Sequence, residues 1–173
     1  MAKKSEIQIV ARHMLDAPVD IRAIFDDLGV RYEEIQMSTQ SGWITRNGDT
    51  FTVSVNGLES ATRRRFTAAH ELAHYLLHRD LMGDGNRMHR HIDTLYAGGG
   101  QSGDVIFKRS HEIEANRIAA QIVMPKKLVE QEHALTPDAG ELAAKFGVSK
   151  PAMEIRLKTL GLRSGDSLPI SRT

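Results

Sequence analysis

Apolar positions along the chain form several helical stripes, one pair of strand-like runs and one segment that follows neither period. Over residues 6–15, Ile7, Val10, Met14 and Leu15 recur at helical spacing and predict a short amphipathic helix that ends before Pro18. Asp20 is suited to accept from the first free N–H groups of a second helix, which carries Ile21, Ile24, Phe25 and Leu28. Gly29 stands where a left-handed stop is expected. Residues 30–35 read as a strand. Residues 43–45 and 50–56 flank Arg46-Asn47-Gly48-Asp49, and an Asn-Gly pair between such runs predicts a hairpin. In its second arm Phe51, Val53 and Val55 alternate with Thr52, Ser54 and Asn56, as on a half-buried strand.

Residues 62–78 hold the strongest helical pattern, with Phe66, His70, Ala73, His74 and Leu77 at helical spacing. Ala68, Ala69, Leu72 and Leu76 add a second apolar side, which predicts a central, buried helix. Residues 80–109 contain Gly83, Gly85 and Gly98-Gly99-Gly100 and predict a long mobile loop. A helix over 111–124, capped by Ser110, stops at Pro125, which suits the first turn of another over 125–133. Helices over 141–146 and 150–160 follow, joined by Gly147-Val148-Ser149, with Gly161 ending the second. Residues 163–173 read as a frayed tail. The pattern is that of an α+β protein, with helices on a short, mostly antiparallel sheet.

Composition narrows the function. A length of 173 residues fits about one domain. Lys and Arg total 23 against 22 Asp and Glu, a net charge of +1, which gives no bulk attraction to nucleic acid or an anionic membrane. The absence of Cys excludes disulfide scaffolds, Cys-based zinc ribbons and cysteine nucleophiles. No apolar run approaches the ~20 residues of a membrane span. Glu6 and Gln8 follow Lys3 and Lys4 too closely for a signal peptide, so the expected location is cytoplasmic. Six of the eight His lie between residues 70 and 111.

Two of them form the motif His70-Glu71-Leu72-Ala73-His74, H-E-x-x-H, inside the strongest predicted helix. Residues four apart share a helix face, so both imidazoles can reach one cation. Glu71 is turned by about 100° from His70, beside the metal, where it can act as a base toward a water. Catalytic zinc usually takes three protein ligands. No His-x-x-Gly-x-x-His follows His74, which leaves a downstream carboxylate. Glu112 and Asn116 share one face of the helix over 111–124, offering a ligand and a hydrogen-bonding partner for a metal-bound His, an arrangement that resembles thermolysin-like gluzincins. Glu114 points elsewhere and reads first as a surface carboxylate, but it remains an alternative ligand, as does His111.

The segments Arg64-Arg65-Phe66-Thr67-Ala68-Ala69-His70-Glu71-Leu72-Ala73-His74-Tyr75-Leu76-Leu77-His78 and Glu112-Ile113-Glu114-Ala115-Asn116-Arg117-Ile118-Ala119-Ala120-Gln121-Ile122-Val123-Met124-Pro125 are similar to the signatures of the ImmA/IrrE-type metallopeptidases. The resemblance runs from about Pro18 to Leu162. It implies a small zincin-like fold, one zinc per chain held by His70, His74 and Glu112, Glu71 as catalytic base, and cleavage of a DNA-bound repressor. The loop over 80–109 looks longer than usual for the family, and residues 1–17 read as a single short helix rather than the repressor-type DNA-binding domain that some members carry, which makes direct DNA binding less expected. The expected division is a zincin-like domain over 1–135, a helix-turn-helix-like subdomain over 136–162 and the tail.

The remaining candidates have plainer readings. His78, His89, His91 and His111 read as exposed loop histidines, Tyr75 lies on the wrong side of its helix for the metal, and Tyr96 falls in the loop. Arg63-Arg64-Arg65 reads as a solvated helix end. From Lys145 onward six basic residues stand against two acidic ones, around a turn like that of helix-turn-helix proteins. Packing of Leu142, Phe146, Val148, Ile155 and Leu160 into a small core is the favoured reading, and direct DNA binding the less favoured one. The expected activity is a zinc endopeptidase acting on a helix-turn-helix repressor, with a metal-dependent regulator or a non-cleaving interaction module as the rival. An extended substrate is expected to pair with the strand over 50–56, at Val53, Ser54, Val55 and Asn56.

Overall fold

A computed structural model describes residues 3–85 and 107–163. His89, His91, Tyr96, Arg172, most of the loop expected over 80–109 and most of the tail lie outside the described residues. Helix α1 spans Lys4–His13 and α2 spans Ile21–Leu28. Asp20 Oδ1 accepts from the Ala23 N–H at 3.0 Å, and Gly29 closes α2 at φ +68°. Ile21, Ile24 and Phe25 are buried, and the Phe25 ring stacks on Tyr32 at 5.4 Å.

Strands β1 (Arg31–Ile35), β2 (Gly42–Asn47) and β3 (Thr50–Asn56) form one sheet in the order β1-β3-β2. β2 and β3 are the expected hairpin. Asn47 pairs with Thr50, so Gly48 at φ +57° and Asp49 make the two-residue turn. β1 joins the far side of β3 in parallel register, from Arg31 opposite Thr52 to Ile35 opposite Asn56. The sheet is therefore mixed: one of its two pairings is antiparallel.

The central position of β3 overturns the expectation that its backbone is open to substrate. Both of its edges are taken, by β1 and β2. The polar side chains in its second half, Ser54 and Asn56, are not solvated either. Ser54 Oγ donates to Glu33 Oε1 at 2.6 Å. The Asn56 amide accepts from the Met37 and Leu58 N–H groups and donates to the Met37 and Gln40 carbonyls. Val53 through Asn56 are all buried, held on one side by packing and on the other by hydrogen bonds.

Helix α3 (Ala61–His78) is capped by Ser60, whose Oγ accepts from the Arg63 N–H at 3.3 Å. Residues 67–76 of this helix are buried on every side, as its doubled apolar pattern predicted. It packs on β2 and β3 along one face and on α4 (Arg109–Val123) along another. Ala69 and Ala73 on α3, and Ala115 and Ala119 on α4, are completely buried. Small side chains at such a contact let two helix axes approach closely. At one further point the approach is closer still. A Cβ on Gly42 would stand 2.6 Å from Thr67 Cγ2 and 2.9 Å from the Ser54 carbonyl oxygen, so the start of β2 rests against α3 only because residue 42 has no side chain.

Ser110 is not the cap of α4, since Lys108 holds that position and its N–H donates to His111 Nδ1 at 3.2 Å. Helices α5 (Lys126–Leu135), α6 (Ala139–Phe146) and α7 (Lys150–Leu160) complete the described chain. Gly147 turns α6 at φ +65°, and Ser149 Oγ accepts from the Ala152 N–H to start α7. Leu142, Phe146, Val148, Met153 and Leu157 fill the space between α6 and α7. Ile155, expected in that core, is 51% exposed because it lies on the outer face of α7.

Candidate metal centre

α3 and α4 bring three predicted ligands together. His70 Nε2 and His74 Nε2 are 2.9 Å apart, one helical turn from each other. Glu112 on α4 places Oε1 3.4 Å from His74 Nε2 and Oε2 3.9 Å from His70 Nε2. Among the described residues, His70, His74 and Glu112 form a group whose donor atoms all lie within 4.8 Å of one another. Both imidazoles are 1% exposed and the Glu112 side chain is 33% exposed, so the group is closed toward the core and open on the carboxylate side. Neither Glu114 nor His111 belongs to this group. Glu71 follows His70 in α3 and is 2% exposed.

A hydrogen bond behind His70 decides which of its nitrogens faces the group. His70 Nδ1 is 2.7 Å from Asn116 Oδ1, the residue one turn beyond Glu112. An amide oxygen only accepts, so Nδ1 carries the proton and Nε2 keeps its lone pair for a cation. Two imidazole nitrogens and a carboxylate, at these separations, fit a divalent transition ion with bonds of about 2.0–2.2 Å.

His78 is the departure from the sequence reading. It is the last residue of α3, not a loop residue, and is 5% exposed. Its Nδ1 lies 3.1 Å from His74 Nδ1 and its Nε2 lies 3.3 Å from Glu114 Oε2. Burial pushes its imidazole below the ordinary value, against the hydrogen bond to Glu114, which raises it. The signal was present in the sequence: residues 70, 74 and 78 continue one face at i, i+4 and i+8. Phe107 gave no such signal. It lies outside any periodic run, yet its ring stacks on His74 with centroids 4.1 Å apart and planes 3° from parallel.

The other candidates are absorbed by structure. The Tyr75 hydroxyl donates to Glu6 Oε1 at 3.4 Å and its ring meets Phe51 edge-on, away from the three ligands. Arg63, Arg64 and Arg65 are not simply solvated. Arg65 donates to the Val19 carbonyl, Arg64 to the Glu59 carbonyl at 2.8 Å, and Arg63 pairs with the Glu59 carboxylate at 3.2 Å. Arg156, one of the basic residues of the helix-turn-helix-like pair, is 8% exposed and donates Nε to the Met124 carbonyl at 3.0 Å, tying α7 to the end of α4. Among the described residues no helix is long and apolar enough to cross a membrane.

No curated protein matches the chain. Residues 25–158, which include the two helices that carry His70, His74 and Glu112, match the IrrE N-terminal-like domain, and the chain belongs to that metallopeptidase family, Peptidase M78.

Proposed function

We propose that the chain is a zinc-dependent endopeptidase that cuts a helix-turn-helix repressor in a regulatory response. The observation that carries the reading is the convergence of His70, His74 and Glu112 beside a buried Glu71 in a metallopeptidase-family chain. His70, His74 and Glu112 would hold one zinc, with Asn116 orienting His70. A bound zinc supplies Lewis acidity, which lowers the pKa of water toward ~7 and polarises the scissile carbonyl. Glu71 takes the proton from the attacking water and delivers it to the departing amine. Its burial removes competing bulk water from that proton path.

The substrate is an extended chain that adds to β2 rather than to β3. Asn47 and Thr50 close the hairpin as a hydrogen-bonded pair, so Gly42 and Ile44 turn their N–H and carbonyl groups away from β3. Near the turn the same edge is covered, since the Arg46 carbonyl accepts from the Gly85 N–H at 2.7 Å. Among the described residues no backbone hydrogen bond is made to that edge at the other end of β2, which rests on Thr67, one turn before His70 and Glu71. N-methylation of alternate substrate residues near the cut should abolish cleavage in one phase of the alternation only, and equal cleavage in both phases would exclude the pairing.

The test of the function is to incubate wild type and Glu71→Gln with zinc and candidate repressors and to look for discrete fragments. Wild type should cut, and Glu71→Gln should keep zinc but not cut. Loss of zinc in Glu71→Gln would make Glu71 a ligand and remove the assigned base.

A further inference from the structure

We infer that His78 is the positioning residue for the metal ligand His74, and that Glu114 acts through His78. The inference rests on the reading of His74 as a ligand through Nε2. An imidazole that offers Nε2 to a cation has its proton on Nδ1, and a buried Nδ1–H requires an acceptor. For His70 that acceptor is the Asn116 amide oxygen at 2.7 Å. His74 faces a different partner, His78 Nδ1 at 3.1 Å.

A second imidazole can accept there in one tautomer only. Its own proton must sit on Nε2, leaving the Nδ1 lone pair toward His74. His78 Nε2 faces Glu114 Oε2 at 3.3 Å, and a carboxylate accepts from that N–H and selects that tautomer. The carboxylate thus fixes the proton on His78, and His78 fixes the proton on His74. Glu114 is 45% exposed and outside the ligand group, so its part is indirect. The ring of His78 is itself held between Phe107, at 5.2 Å, and His111, at 4.7 Å. The two α3 ligands are therefore steadied by different chemistry, His70 by one amide and His74 by an imidazole–carboxylate pair.

The experiment measures zinc affinity by chelator competition on the full chain, with thermal melting of the zinc-free form as a control for folding. His78→Phe keeps the ring and removes both nitrogens. It should raise the zinc dissociation constant roughly 10- to 100-fold, the usual cost of losing such a partner. His78→Asn restores an acceptor near the Nδ1 position and should recover most of that loss. Glu114→Ala should cost a few-fold, less than His78→Phe. Zinc affinity at the wild-type level in a folded His78→Phe would overturn the inference, as would failure of His78→Asn to rescue it. His74→Ala separates the two readings: if it too binds zinc like wild type, the ligand assignment has failed, and if it loses zinc while His78→Phe does not, only the relay has failed. Should His78→Phe not fold, the zinc-loaded wild type still decides. Long-range 15N–1H correlation should show the His78 proton on Nε2, and a proton on Nδ1 overturns the inference.

Discussion

The helix pairs α3–α4 and α6–α7 solve opposite problems. Between α6 and α7 the buried groups are apolar, Leu142, Phe146, Val148, Met153 and Leu157, and they need only to fill space. Between α3 and α4 the buried groups include His70, Glu71, His74 and His78, and each polar atom needs a partner at a fixed distance and angle. Apolar contacts survive many rearrangements. A polar interior tolerates few, because a lost partner leaves a desolvated group behind. A helix pair that keeps imidazoles in its core is therefore organised around something other than stability, and its substitutions should act on function first and folding second.

The comparison is tested most strongly at Glu71. Glu71→Gln preserves volume and should reduce cleavage by about 10²- to 10⁴-fold, the range for loss of a general base. Its melting temperature should match or exceed that of wild type, and a large drop would show that Glu71 serves the fold. In the opposite direction, Phe146→Ala removes a completely buried ring from the α6–α7 core and should cost about 3–5 kcal/mol in denaturant unfolding. The folded fraction should still bind zinc at wild-type affinity. Zinc loss in that fraction would mean that the two helix pairs are coupled.

A smaller effect is expected where a polar contact serves stability alone. Arg79, just beyond α3, grips Glu6 of α1 through two nitrogens at 2.8 and 2.9 Å, with both side chains largely buried. Burial alone would raise the Glu6 carboxyl, but the hydrogen bonds from Arg79 and the Lys3 N–H outweigh it and hold it below its ordinary value of 4.5. A depressed folded pKa contributes stability above the unfolded value, and that contribution is lost as pH falls through 4.5 and below. Glu6→Ala should cost about 2 kcal/mol at neutral pH, and the difference from wild type should shrink as pH falls below that value. A difference that stays constant down to low pH would show packing rather than the ion pair at work. The smallest effect belongs to Lys145, whose pairing with Glu132 is half exposed. Lys145→Ala should change stability by less than about 0.5 kcal/mol and leave cleavage unchanged.

Much of this contrast was legible in the residues. The cap at Asp20, the stops at Gly29 and Gly161 and the turn at Gly147 are local chemistry, which can be read without the fold, although the cap expected at Ser110 fell to Lys108. Periodicity also placed His70, His74, Glu112 and Asn116 on two helices with the right faces. Strand order was not legible. The alternation in residues 50–56 says which side chains share a face, but not that β1 returns to claim the second edge of β3. That is a long-range event, and it closes the edge on which the substrate was expected. His78 was misread for another reason. It closes the helix expected over 62–78 and was grouped with the exposed histidines of the Gly-rich run that follows, whereas α3 holds its last residue against His74 and Glu114.

The contact between Gly42 and Thr67 has an evolutionary side. A methyl group at residue 42 meets the Thr67 side chain at 2.6 Å, and trimming Thr67 would still leave the Ser54 carbonyl oxygen at 2.9 Å. The two obstacles belong to different elements, Thr67 to α3 and Ser54 to β3, so a descendant chain can leave glycine at this position only by shifting the start of β2 against both. On the reading given above, that displacement would also lift a bound peptide from the two imidazoles. Selection on catalysis would then be enforced at a residue that bears no chemistry, through a hydrogen atom where every other amino acid carries carbon.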